Sequence, residues 1–138
     1  MIRRYILDTN TASYILKGKS IKAKHRLENL KAGEVVCVSV ITEAELRFGL
    51  ARKPLAKTQQ LLLEQFLNTA EILPWSRAEA ASYATLRARQ EAAGKSISPF
   101  DLLIAAHAMT VGAVLVTNDK AFRYIPNLPG IESWATDL

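Results

Sequence analysis

Two continuous apolar runs, Val35–Val40 and Ala113–Thr117, constrain the fold of this chain more than any other feature. Both are rich in valine and lack the strict polar alternation of a strand with one wet face. Such runs suit parallel strands covered on both sides. Parallel strands need crossovers of about a dozen residues or more, and the segments between these runs are long enough for helices. Arg4–Leu7, Glu71–Leu73 and Ile131–Trp134 read as further short strands. The expectation is an α/β fold: a three-layer α/β/α domain with a short parallel sheet of four or five strands flanked by helices.

Helix boundaries are signalled by side chains that satisfy free backbone N–H groups. Thr42-Glu43-Ala44-Glu45 has capping-box spacing and is expected to open a helix to about Ala51. Pro54 suits the first turn of a helix over Leu55–Thr69. Ser76 and Glu79 form a second capping box before an alanine-rich helix that stops near Gly94. In Ser98-Pro99-Phe100-Asp101, Ser98 is the N-cap, Pro99 the first helical residue and Asp101 lies three past the cap, in a helix ending before Gly112. No repeat, low-complexity tract or linker interrupts the chain, so residues 1–138 read as one domain.

Composition removes several classes of function. Cys37 is the only cysteine, which excludes an internal disulfide framework, and its place inside an apolar strand marks an inert core thiol. No apolar run is long enough to span a bilayer, and Met1–Asp8 has no signal-peptide core, so a soluble cytoplasmic protein without a membrane partner is expected. G-x-S-x-G, Walker A and G-x-G-x-x-G patterns are missing. Basic residues outnumber acidic ones by 18 to 13, and six cations between Lys17 and Lys31 face one acid, Glu28. That run suits a polyanion such as nucleic acid.

Four acids fall where a parallel sheet gathers its ligands, at the carboxyl ends of strands. Asp8 ends the first strand and Asp119 follows the fourth. Glu45 is expected at the opening of the helix after the second strand, and Asp101 at the opening of the helix that leads into the fourth. Each has a local explanation as a helix cap or dipole partner. Jointly they raise a conflict, because two carboxylates about 4 Å apart repel by roughly 4 kcal/mol at an effective dielectric of 20. A divalent cation resolves it. Hard oxygen donors without cysteine or histidine point to Mg²⁺ or Mn²⁺; His25 is expected on the surface and His107 in packing.

Leu7-Asp8-Thr9-Asn10, Val40–Gly49, Ser98–Ala108 and Val116–Asp119, in that order and across essentially the whole chain, resemble PIN-domain ribonucleases. The resemblance is strongest to the VapC toxins of bacterial type II toxin–antitoxin modules. It implies a metal-dependent endoribonuclease that inhibits translation by hydrolysing RNA, with tRNA the favoured substrate and 5′-phosphate and 3′-hydroxyl ends as products. Asp8, Glu45 and Asp101 match the three principal acids of that family, and Asp119 the fourth. Asp8 and Asp101 would ligate Mg²⁺, with Mn²⁺ able to substitute, and Glu45 and Asp119 would act through water or a second ion. The family's glutamate precedes Leu-x-x-Gly, which selects Glu45 over Glu43 and leaves Glu43 on the surface. Thr9, Asn10, Thr117 and Asn118 match polar positions that line the site, although each can equally cap a turn.

Acids alone would repel an RNA backbone, so a basic rim is required. Lys17, Lys19, Lys22, Lys24 and Arg26 are the candidates, with Arg47, Arg87 and Arg89 behind them. The partners implied are an RNA substrate, a cognate VapB-like antitoxin and a second copy of the chain. The alternative function is a catalytically silent PIN domain that binds RNA or serves as a regulatory subunit. Two other phosphoryl chemistries fit poorly. A haloacid-dehalogenase site needs a second aspartate where Asn10 stands, and a receiver module needs an aspartate after the third strand, where Ile72–Trp75 has none.

Overall fold

A computed structural model describes the whole chain, Met1–Leu138. Five strands, β1 (Arg3–Leu7), β2 (Glu34–Ser39), β3 (Glu71–Leu73), β4 (Val114–Val116) and β5 (Ile131–Glu132), pair in parallel in the order β3-β2-β1-β4-β5. Six helices surround them: α1 (Thr9–Leu16), α2 (Ile21–Glu28), α3 (Val40–Ala51), α4 (Lys57–Thr69), α5 (Arg77–Ala92) and α6 (Pro99–Val111). A 3-10 turn, Lys120–Tyr124, joins β4 to β5. This is the α/β arrangement that the valine-rich runs predict.

Residue alternation along the strands builds two cores. Tyr5, Leu7, Val36, Val38, Val114 and Val116 point into one, with Ile15, Ala23, Leu46, Leu63 and Phe66 from α1 to α4. Ile6, Cys37 and Leu115 point into the other, with Leu86, Leu102, Ile104 and Phe122 from α5, α6 and the 3-10 turn. With helices on both faces, β4 and the last four residues of β2 are buried on both sides, which is why their sequences do not alternate. Cys37 is fully buried and its thiol is pushed up to about 12 by burial, as an inert core cysteine requires.

The chain steps outward from β1 through β2 to β3, then returns past β1 to lay down β4 and β5. The direction of winding therefore reverses between β1 and β4, the place where such sheets open a crevice at their carboxyl edge.

Two helix starts differ from the sequence expectation. Thr42-Glu43-Ala44-Glu45 is not a capping box: α3 begins at Val40, and the N-cap is Ser39, whose Oγ accepts from the Ile41 N–H at 3.0 Å. Ser39 is hidden inside an apolar run, so its capping oxygen carries no visible signature. This also moves Glu45 from the first turn of the helix to its middle. Pro54 lies ahead of α4, which starts at Lys57 without a side-chain cap. The other expected starts match: Ser76 and Glu79 box α5, and Ser98 caps α6 with Pro99 at its first position. Trp134, expected at the end of the fifth strand, lies beyond β5 and packs its ring 5.4 Å from Tyr5.

Candidate active site at the β1–β4 switch point

β1 and β4 run in register to Leu7 and Val116, and the Asp8 N–H extends the ladder by donating to the Val116 carbonyl at 3.0 Å. Asp8 and Thr117 therefore emerge side by side. Asp8 is buried and caps α1: Oδ1 accepts from the Thr11 N–H at 2.8 Å and Oδ2 from the Thr117 hydroxyl at 2.6 Å. Thr117 Oγ1 in turn accepts from the Asp119 N–H at 2.9 Å, so one hydroxyl joins the Asp8 carboxylate to the Asp119 backbone. Asp119 caps the 3-10 turn by accepting from the Ala121 N–H at 2.9 Å. Asp101 arrives from the opposite layer at the third position of α6, where its N–H donates to Ser98 Oγ at 3.2 Å.

These three aspartates feel one another. Burial pushes the Asp8 carboxyl up from its ordinary value, opposed by its bonds to Thr117 and Thr11 and reinforced by the charge of Asp119. Burial also raises Asp101, and the charges of Asp119 and Asp8 add to that rise. A carboxylate raised by burial and by like-charged neighbours is a candidate ligand for a cation.

Glu45 is placed differently. Thr42, on α3, meets Thr9 hydroxyl to hydroxyl at 3.3 Å, next to Asp8. Glu45 follows Thr42 by three residues and so lies on the same stripe of α3. No hydrogen bond or ion pair joins it to the aspartates. Glu43 is turned away, and its carboxylate accepts from Arg47 Nε at 2.7 Å.

The polar positions divide. Thr117 is built into the carboxylate network, and Thr9 touches its edge. Asn10 is exposed in the first turn of α1. Asn118 spends its side chain on the C-terminal segment: its amide donates to the Ala135 carbonyl at 2.9 Å, and its carbonyl accepts from Ser133 Oγ.

The basic candidates divide as well. Arg26 forks onto Glu34 at 3.1 and 2.9 Å and stacks over the Tyr5 and Trp134 rings at 5.2 and 4.8 Å. That guanidinium is structural, and together with the Lys31 N–H and the Tyr5 hydroxyl it holds Glu34 down at about 2. Arg47 bridges Glu43 to Glu64 of α4, and Arg87 is held by Tyr83 and Glu91. Each of these arginines is paired within the fold. Lys17, Lys19, Lys22 and Lys24 are exposed; Lys17 and Lys24 line a cavity against α4, away from the acids. Lys22 stays closer, because Asp137 accepts from its N–H and lies two residues beyond the Ala135 that Asn118 holds.

Sequence reasoning missed two features. Lys120 and Arg123 line a cleft with Thr117, Asn118 and Asp119, and neither is paired with an acid. Their signal was proximity to Asp119, outside the longer basic run. The second is a buried pin: His107 Nδ1 lies 2.8 Å from Ser39 Oγ, tying α6, which bears Asp101, to the start of α3, which bears Glu45. The packing role expected of His107 is correct, but it is a polar one.

The donor set suits a hard cation. Every acid at the switch point offers oxygen only, while Cys37 and His107 are fully buried. No three acidic, histidine or cysteine side chains form a ready-made cage. Mg²⁺ does not need one, since it takes one or two carboxylates and keeps several waters.

Strand-end aspartates at the switch of a five-stranded parallel sheet, with a helix-start aspartate in their electrostatic field, are what the resemblance to PIN-domain nucleases implies. Residues 5–128 match the PIN domain family. Ribonuclease VapC2 of Rickettsia felis is 37% identical over 131 residues, covering 94% of this chain and 97% of that protein. The tRNA(fMet)-specific endonuclease VapC of Salmonella typhimurium is 35% identical over 133 residues, covering 95% and 98%. Among solved structures, VapBC2 from Rickettsia felis bound to a promoter DNA fragment aligns with TM-score 0.88 at 35% identity, over 95% of this chain and 98% of that one. DNA-bound VapBC from Salmonella typhimurium aligns with TM-score 0.87 at 31% identity, over 97% and 99%. The chain belongs to the PIN domain family and, within it, to the VapC ribonucleases.

Proposed function

We propose that this chain is a Mg²⁺- or Mn²⁺-dependent endoribonuclease, the toxin of a type II toxin–antitoxin module, and that its substrate is tRNA. The observation that supports the reading is that Asp8 and Asp101 feel the charge of Asp119, and Asp101 that of Asp8, at the β1–β4 edge, where burial and these neighbouring acids raise the Asp8 and Asp101 carboxyls. Asp8 and Asp101 would hold the metal directly, and Asp119 through water. A bound divalent ion would supply charge stabilisation at the scissile phosphate. Thr117 holds Asp8 in one orientation through its hydroxyl. Glu45, on the stripe of α3 that faces α1, would take a proton from the attacking water. The water oxygen bonds phosphorus as the bond to the 3′-oxygen breaks and that oxygen gains a proton, leaving 5′-phosphate and 3′-hydroxyl ends.

A VapB-type antitoxin is the cognate partner, in line with the VapBC complexes that share this fold. A second copy of the chain is proposed as a further partner, supported by the strongly exposed Leu55, just ahead of α4, and Leu61 within it. No helix is long and apolar enough to cross a membrane.

The test is cleavage of purified tRNA with Mg²⁺ or Mn²⁺, mapped to the nucleotide and repeated with chelator. Asp8→Asn and Asp101→Asn should each abolish it. RNA binding without cleavage under any metal would instead mark the catalytically silent PIN domain.

A further inference from the structure

Two large aromatic rings stand in solvent at the ends of the segments that carry Asp101 and Asp119. Phe100 directly precedes Asp101 and is 55% exposed, although Leu102 and Ile104, further along α6, are buried in the core. Tyr124 closes the 3-10 turn that Asp119 caps and is 60% exposed, although Phe122 two residues earlier is fully buried. Burial of Phe122 with Leu102 and Ile104 anchors both segments in one core, so the rings are presented by rigid backbone. Gln90 adds a clamp by donating to the Tyr124 carbonyl at 3.0 Å.

Beyond Asp101 and Asp119 themselves, the charged side chains that the structure sets against Tyr124 and in the Asp119 cleft are cations. Lys95 Nζ sits 4.7 Å from the Tyr124 ring centroid, in the turn that leads to Ser98 and Phe100. Lys120 and Arg123 lie on the 3-10 turn itself, line the cleft beside Asp119, and pair with no acid. Along the chain, Asp119 leads through the 3-10 turn to Tyr124, the contact at 4.7 Å joins Tyr124 to Lys95, and the segment after Lys95 leads to Phe100 and then Asp101. Cations interleaved with exposed aromatic faces suit single-stranded nucleic acid, in which phosphates track the charges and unpaired bases stack on the rings.

We propose that Phe100 and Tyr124 are base-stacking residues of the RNA site, with Lys95, Lys120 and Arg123 gripping the backbone that joins the stacked bases to the scissile phosphate. This rests on the nuclease reading for the location of that phosphate, and it adds the surface that positions an unpaired strand across the acids. Three cations of the stretch Lys17–Lys31 are engaged elsewhere. Arg26 is committed to Glu34 and the Tyr5 and Trp134 rings, and Lys17 and Lys24 face α4.

The test measures binding by the metal-free protein in chelator, so that no cleavage intervenes. The probe is a short unstructured RNA bearing fluorescein, together with a series in which one abasic nucleotide is moved along the strand. Phe100→Ala and Tyr124→Ala should each weaken binding of the intact RNA by about 5- to 100-fold. For each ring, one abasic position should lower wild-type affinity by a similar factor yet cost the matching alanine variant nothing further. Phe100→Trp should restore binding. Lys120→Met and Arg123→Met should each reduce the slope of log affinity against log salt by about 0.7. Melting curves confirm that the variants are folded.

The proposal is overturned if the wild-type protein does not bind the probe, or if the alanine variants bind as wild type at every position. It is also overturned if they lose antitoxin binding while RNA binding is unchanged, which would assign the rings to the protein partner. Failure of the nuclease reading looks different: ring-dependent RNA binding would persist, and Mg²⁺ or Mn²⁺ would produce no cleavage.

Discussion

At the scale of single residues, Asp8 does two jobs that conflict. Its oxygens cap α1 and anchor Thr117, yet burial and Asp119 raise its carboxyl above the ordinary value near 3.8. A carboxyl raised on folding adds stability below its unfolded pKa and loses that contribution as pH rises through the folded value. At neutral pH the ionised group is therefore a cost to the fold. Asp8→Asn keeps an oxygen for the Thr11 N–H and removes the charge, so it should abolish cleavage while the Tm at pH 7 stays level or rises. Asp8→Ala should abolish cleavage and also lose about 1 kcal/mol with the cap. Denaturant unfolding of both variants separates the two effects. His107 obeys the opposite sign. Burial lowers it from an ordinary value near 6.5, against the pull of Glu79, whose Oε1 lies 3.5 Å from Nε2. The neutral ring contributes full stability above about 6.5, and that contribution is lost as pH falls from there through the folded value. Unfolding free energy measured from pH 7.5 down to about 5.5 should fall more steeply in wild type than in His107→Gln. Equal slopes would remove His107 from the account.

At the scale of elements, what the sequence disclosed depended on how far apart the interacting residues lie. Ser98, Pro99 and Gly112 mark α6 because a cap, a first-turn proline and a left-handed stop act within a few residues. Asp8 and Asp119 could be placed for the same reason, since strand ends follow from the apolar runs. The start of α3 was not legible, because Ser39 caps from within an apolar run and is fixed by His107, 68 positions away. The fates of Arg26 and Arg47 were hidden likewise: the fold brings Glu34 and Glu64 to them, and a basic run in sequence cannot show which cations are already taken. Glu45 was favoured over Glu43 by resemblance, and the ion pair of Glu43 with Arg47 follows from their i,i+4 spacing on the expected helix, a short-range signal of the legible kind. Two glycines give an element-level test. Gly112 ends α6 at φ +70°, and an added Cβ would meet no atom within 4 Å. Gly112→Ala should therefore cost about 1–2 kcal/mol through backbone conformation alone. Gly49 is inside α3 with equally open surroundings, so Gly49→Ala should stabilise by about 0.5–1 kcal/mol. Opposite shifts in the denaturation midpoint are expected, and shifts of the same sign would contradict the helix boundaries.

At the scale of the whole molecule, the sheet gathers like charges that its own core disfavours. The topology forces this: the reversal between β1 and β4 sets Asp8 beside Thr117 and Asp119, and α6, in the layer opposite α1, delivers Asp101 to the same edge. The protein carries a net charge of +5, but the free cations Lys120 and Arg123 lie on the cleft wall and form no ion pair with these acids. The fold should therefore be strained without metal and relieved by it. A ligand that binds only the folded state adds about 2.7 kcal/mol at one hundred times its Kd, which raises the Tm by several degrees in a domain of this size. Titrating Mn²⁺ into chelator-treated protein should thus raise the Tm progressively, and K⁺ at matched ionic strength should do much less, because screening is weak for buried charges. Asp101→Asn should start from a higher metal-free Tm than wild type and respond little to Mn²⁺. Asp119→Asn, acting through water, should keep a response shifted to about 10–100-fold higher metal, and its cleavage deficit should shrink along the same titration. A metal-free Asp101→Asn protein less stable than wild type, with an unchanged response to Mn²⁺, would make Asp101 a helix-capping residue and remove it from the metal site.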